Sequence, residues 1–212
     1  MATATITCTE CAEIDSQYQS QNETNSFDIG GFGNKENRSY AFFDISDIPV
    51  NAVITGASVE LRQYGGEYYD AGITIRCRIC SEYISNGAIT WNNQPETGSV
   101  YADLDITSNT GANRTWTLPT AENINNYRVN GRLILHFYGL ETSENSLNAK
   151  GFRPSGNGTD SPELTLEYIM PSQVNVGGAW KYIEGFQVNV GDAWKTVQSI
   201  QANVGDVWKT VF

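Results

Sequence analysis

Ile73-Thr-Ile-Arg-Cys-Arg-Ile79 alternates apolar and polar residues without a break. In an extended chain, residues two apart share a face, so Ile73, Ile75, Cys77 and Ile79 line one side and Thr74, Arg76 and Arg78 the other. The stretch therefore predicts an antiparallel strand with one face on a core and the other toward water. Val59-Glu-Leu-Arg62, Tyr101-Ala-Asp-Leu-Asp-Ile106, Leu133-Ile-Leu-His-Phe137 and Glu163-Leu-Thr-Leu-Glu-Tyr168 behave similarly, between clusters of Gly, Asn, Ser and Asp. Such clusters supply turns. One segment reads as a helix: Thr120 can cap it, Ile124 and Tyr127 share a face, and Asn130-Gly131 supplies a stop. Many short strands with one short helix predict an all-β, antiparallel two-sheet sandwich over residues 1–170.

The pattern changes at Met170-Pro171-Ser172, where a repeat begins. Val174-Asn-Val-Gly-Gly-Ala-Trp-Lys-Tyr-Ile183 returns as Val188-Asn-Val-Gly-Asp-Ala-Trp-Lys-Thr-Val197 and as Ala202-Asn-Val-Gly-Asp-Val-Trp-Lys-Thr-Val211. Each unit reads as strand, two-residue Gly turn, strand, which suits a type II′ hairpin and sets Asn189 opposite Trp194 and Val190 opposite Ala193. Three hairpin repeats thus fill residues 171–212. So little chain makes too small a core to stand alone. Trp180, Trp194 and Trp208 are accordingly expected to form an oligomerisation or docking stripe.

The 13 basic and 24 acidic residues give a net charge of −11, which argues against a nucleic-acid partner. No apolar run approaches the ~20 residues that cross a bilayer, and the opening Met-Ala-Thr-Ala-Thr-Ile lacks the basic and apolar parts of a signal peptide. Nucleic acid and membrane are not expected partners.

Two resemblances add to this reading. Arg38-Ser-Tyr-Ala-Phe-Phe-Asp-Ile-Ser-Asp-Ile-Pro49, then Ile54-Thr-Gly-Ala-Ser-Val-Glu-Leu-Arg62, Ile89-Thr-Trp-Asn-Asn-Gln-Pro95 and Ser161-Pro-Glu-Leu-Thr-Leu-Glu-Tyr168 together resemble the DNRLRE-type domain. That resemblance implies a jelly-roll-like sandwich, grouped with carbohydrate-binding modules, over about residues 3–169. Trp91 is expected at a strand end packed on the core, and Cys8-Thr-Glu-Cys11 stands where that family has an aspartate-rich opening strand. The Val-Asn-Val-Gly-x-x-Trp-Lys repeats resemble those at the ends of bacteriophage virion proteins.

Cys8-x-x-Cys11 and Cys77-x-x-Cys80 have the spacing of zinc ligands, but no glycine adjoins either pair to form a tight knuckle. Strand alternation sends Cys8 and Cys77 inward and Cys11 and Cys80 outward. Free thiols are the first expectation, disulfides among the four the second, and no zinc site is assigned. His136 is expected to be a buried, hydrogen-bonded core residue. Asp44, Asp47, Asp103 and Asp105 suit solvated loop edges or a structural calcium site equally. No cofactor and no catalytic residue is assigned.

Two functions then compete. The first is a phage-type virion structural protein, a capsid decoration or a tail or fibre component. It would assemble in the host cytoplasm, with other virion proteins or copies of itself as partners. The alternative is a carbohydrate-binding module of an extracellular protein, in which Tyr64, Tyr68 and Tyr69 are the glycan contacts.

Overall fold

The computed structural model describes residues 1–64, 72–108, 110–120, 122–140 and 147–171, and beyond these the backbone of six strands between 173 and 210. Two compact units divide the chain, Met1–Ile169 and Met170–Phe212.

The first unit is an antiparallel sandwich. One sheet orders β1 (Ala2–Thr7), β11 (Glu163–Ile169), β5 (Val53–Gln63) and β8 (Ala112–Leu118) as β1-β11-β5-β8. The other holds β2 (Glu10–Asp15), β3 (Asp28–Phe32), β4 (Lys35–Asp44), β6 (Ile73–Cys80), β7 (Thr97–Ile106), β9 (Arg132–Gly139) and the short β10 (Lys150–Gly151). Its order is β10-β3-β4-β9-β6-β7, with β2 also paired to β4. β4 is long enough to serve both neighbours: Glu10 to Asp15 run along its Phe42 to Asn37 half, and Gly30 to Phe32 along its Asn37 to Lys35 half.

Alternation fills the space between the sheets. Val59, Leu61, Trp116, Leu164 and Leu166 from the smaller sheet meet Ala41, Phe43, Ile75, Cys77, Leu135 and Phe137 from the larger. Trp116 lies edge-on to Phe137 at 5.4 Å and to Phe152 at 6.2 Å. Its indole N–H donates to the Ile75 carbonyl at 2.9 Å, so the ring is buried with its polar group satisfied.

A second apolar cluster covers part of the outer face of the larger sheet. Ala12, Ile14, Tyr40, Phe42, Cys80 and Ile134 are covered there by Ile89, with Tyr83, Ile84 and Trp91 packed at its margin. Cys80 is therefore buried, not outward to water as the alternation predicts. Its face was read correctly, but residues 81–96 fold back over that face. Cys11 is also buried, for a different reason. β1 ends at Thr7 and β2 begins at Glu10 in the opposite sheet, so strand alternation does not carry from Cys8 to Cys11.

The predicted helix shrinks to one 3-10 turn, Ile124–Tyr127, capped by Asn123, whose side chain accepts from the Asn125 N–H at 3.2 Å. Thr120 donates its hydroxyl to Thr55 instead. Asn130 and Gly131 adopt positive φ of 51° and 76°, and the Val129–Arg132 bridge closes a tight turn into β9. They start a strand rather than stop a helix.

In the second unit β12 (Gln173–Val176) pairs with β13 (Ala179–Tyr182), β14 (Gln187–Val190) with β15 (Ala193–Thr196), and β16 (Gln201–Val204) with β17 (Val207–Thr210). Trp180, Trp194 and Trp208 stand across from Asn175, Asn189 and Asn203. Residues 177–178, 191–192 and 205–206, where the Gly turns were read, lie outside the described residues.

Candidate functional site

The polar side of Ile73–Ile79 faces outward on β6, beside β7 and β9 and beyond the edge of the second cluster. Register builds two rows across the sheet. Tyr40 pairs with His136, His136 with Arg78, and Arg78 with Tyr101. In the next row Tyr138 pairs with Arg76 and Arg76 with Asp103. Arg38, one step along β4 from the Ser39–Phe137 pair, reaches the Tyr138 ring at 5.8 Å.

Cations and rings alternate along these rows. The Arg38 guanidinium lies 4.5 Å from the Trp91 ring centre, Arg76 lies 4.1 Å from Tyr101, and Arg78 lies 5.9 Å from the same ring. Stacking of this kind adds about 0.5–1 kcal/mol each at exposed sites and fixes the planes of long side chains. Asp103 takes both ends of Arg76, each at 2.7 Å, and Glu36 pairs with Arg38 at 2.9 Å. Gln94 ties the Trp91 segment down, accepting from Arg38 at 3.2 Å and from the Tyr40 hydroxyl at 3.0 Å, and donating to the Trp91 carbonyl at 2.9 Å.

Arg78 differs from the other two arginines. Among the described residues it has no carboxylate partner, giving one N–H to the Gly98 carbonyl at 3.0 Å while its Nε has no acceptor. Gly98 is held by Tyr127, whose ring lies so close that no Cβ fits there. A hollow of about 400 Å³ opens beside Arg78, lined also by Arg38, Gln94, Thr97, His136 and Tyr138.

His136 forms part of the floor. It is buried as expected, yet neither ring nitrogen has a hydrogen-bond partner among the described residues, contrary to the hydrogen-bonded histidine expected. It stacks flat on Tyr40 at 4.4 Å and leans on Tyr138 at 4.8 Å. Burial, reinforced by Arg38 and Arg78, pushes its pKa down to about 3, so the ring is neutral at ordinary pH.

The other residues singled out from sequence lie elsewhere. Tyr64 is half-buried, with its hydroxyl donated to Asp28 at 3.0 Å and Arg153 over its ring at 5.3 Å. Tyr68 and Tyr69 lie outside the described residues. Asp103 and Asp105 are engaged by Arg76 and Thr74, and Asp44 accepts from the Ser46 N–H. No three acidic, His or Cys groups converge among the described residues. Trp91 is on the margin of the second cluster rather than in the main core.

Alternation alone sends Arg76 and Arg78 to solvent and does not show their convergence with Arg38, His136 and Tyr138. The available signal was Leu133-Ile-Leu-His-Phe-Tyr138, which sets His136 and Tyr138 on one face two residues apart. Which strands lie beside it was not readable from sequence.

A family model, carbohydrate-binding module family 96, matches residues 3–168. The chain belongs to this family. No curated protein matches the chain. The match spans the described sandwich and stops at its last strand, and a family 96 module is a non-catalytic, carbohydrate-binding domain. Membership favours the glycan-binding reading over the virion reading, which has only the repeats behind it. No helix among the described residues is long and apolar enough to cross a membrane.

Proposed function

We propose that this family 96 domain binds a glycan on the open outer face of its larger sheet, against Trp91, Tyr101 and Tyr138, with Arg78 as the main polar contact. It would serve an extracellular protein in this role. The observation that carries the reading is Arg78 itself, a half-buried guanidinium without a carboxylate partner at the mouth of a hollow flanked by aromatic rings. A pyranose offers C–H groups on its faces and hydroxyls around its rim. Half-exposed rings take the first and guanidinium N–H groups donate to the second. Arg38 and Arg76 are stacked and paired, which pre-sets the platform before a ligand arrives.

Affinity electrophoresis of the full chain through gels containing neutral and acidic polysaccharides tests this. At least one polysaccharide should retard the protein. Losing a hydrogen bond to a charged group costs about 1.5–3 kcal/mol, so Arg78→Ala should weaken retardation about tenfold or more. Tyr138→Ala should weaken it too, and Tyr64→Ala should leave it unchanged. Retardation that survives Arg78→Ala and vanishes in Tyr64→Ala would move the site to the rival tyrosine loop at Tyr64, Tyr68 and Tyr69.

A further inference from the structure

The crossing between the two sheets is made at Cys8 and Thr9. The Cys8 N–H donates to the Pro162 carbonyl, beside β11 of the smaller sheet, at 2.8 Å. One residue later the Thr9 N–H and hydroxyl both donate to the Phe42 carbonyl of β4, in the larger sheet, at 2.9 and 3.1 Å. This sharp crossing turns Cys11 back toward Cys8. Their Sγ atoms stand 3.4 Å apart, both inside the main core. The backbone N–H of Ser155 donates to Cys11 Sγ at 3.2 Å, and the one S–H of Cys8 has two acceptors in reach, the Glu10 carbonyl at 3.0 Å and Cys11 Sγ.

The other C-x-x-C pair is built differently. Cys77 belongs to the core between the sheets, and Cys80 to the cluster on the opposite face of the same strand. The sheet lies between those sulfurs. All four thiols are free here. With no third ligand beside Cys8 and Cys11 among the described residues, that pair lacks the donor set of a structural zinc site.

We infer that Cys8 and Cys11 are a redox-active dithiol that closes into a single disulfide across the sheet-to-sheet crossing when the surroundings are oxidising, while Cys77 and Cys80 stay reduced. Closure needs the sulfurs to approach from 3.4 Å to about 2.05 Å. Cys11 is the attacking sulfur. The hydrogen bond from Cys8 and that from the Ser155 N–H pull its thiol below the ordinary range, while burial pushes Cys8 well above it. The oxidant is a low-molecular-weight disulfide such as oxidised glutathione. The Cys11 thiolate attacks one of its sulfurs and expels one thiolate. Cys8 gives up its proton and displaces the second. Two protein thiols become one disulfide, and the small disulfide becomes two thiols. Both cysteines are nearly covered, at 5% and 1% exposure, so exchange waits on local opening and takes minutes to hours. The inference is independent of glycan binding.

The test incubates the reduced full chain with oxidised glutathione, then measures intact mass, disulfide-mapped peptides, bound zinc and thermal melting. The expected product is about 2 Da lighter, by the loss of the two thiol hydrogens. It should carry a Cys8–Cys11 link, hold no stoichiometric zinc and melt about 3–6 °C higher, reversibly with dithiothreitol. Cys8→Ser should stop at a glutathione adduct on Cys11, Cys11→Ala should show no mass change, and Cys77→Ala should retain the loss seen in the unaltered chain. Four thiols persisting after prolonged incubation would overturn the inference. So would a link to Cys77 or Cys80, a stable glutathione adduct on the unaltered chain, or one zinc per chain.

Discussion

In mild acid, buried His136 and Glu13 both hold protonation states opposite to those they hold in water. His136 is neutral down to about pH 3 because burial, Arg38 and Arg78 all oppose a charge on the ring. Glu13 takes the N–H of Asp28 at 2.7 Å, and burial followed by the Asp28 charge pushes its carboxyl up to about 8. Their effects on stability have opposite signs. Below about pH 6.5 the unfolded chain protonates its histidine and the folded chain does not, so His136 costs stability as pH falls. Above about pH 4.5 the unfolded chain loses the Glu13 proton and the folded chain keeps it until about 8, so Glu13 costs stability as pH rises. Between these limits the two slopes cancel. Urea unfolding should therefore show a plateau from about pH 4.5 to 6.5, with a fall of order 1 kcal/mol per pH unit on either side. A gain in stability from pH 5 to about 6.5 that then levels off would show that Glu13 is ionised in the fold. Neither state was legible in the sequence. Glu13 sits one residue before Ile14 in an unremarkable stretch, and the cations that hold His136 neutral come from two other strands.

Among the elements, β6 was read most faithfully, because one of its faces lies on the core and its pattern is period two throughout. β4 and β9 are buried on both faces in their middle, so their apolar runs, Tyr40-Ala-Phe-Phe43 and Leu133-Ile-Leu135, mark the sheet region that residues 81–96 cover. Two departures from alternation have separate causes: Cys11 follows a break between strands of different sheets, and Cys80 lies on an outer face that residues 81–96 cover. The 124–127 turn was overread as a helix because Asn123, not Thr120, caps it. The tail hairpins have only two strands each, and such hairpins are marginal in water without further cover. We propose that the repeats self-associate or dock. Light scattering should find the full chain larger than monomeric. Truncation after Ile169 should give a monomer that melts cooperatively within about 2 °C of the full chain's sandwich transition. A monomeric full chain whose melting collapses on truncation would instead make the repeats part of the sandwich's own stability.

At the scale of the whole molecule, an acidic protein carries three stacked arginines, Arg38, Arg76 and Arg78, on one open sheet face. The net charge of −11 comes from the full chain and says nothing of where Arg38, Arg76 and Arg78 converge. Alternation carries the fold class and composition weighs against nucleic acid, but neither finds this face. The family match reaches carbohydrate binding without naming residues. Hydroxyl-radical footprinting of the full chain, with and without an oligosaccharide from whichever polysaccharide retards it, reads ring exposure directly. Trp91, Tyr101 and Tyr138 should lose reactivity when the sugar binds, while exposed Tyr18 and the tail Trp180, Trp194 and Trp208 should keep theirs. Unchanged reactivity at Trp91, Tyr101 and Tyr138, with protection at Tyr64, Tyr68 and Tyr69 or along the tail, would contradict that expectation.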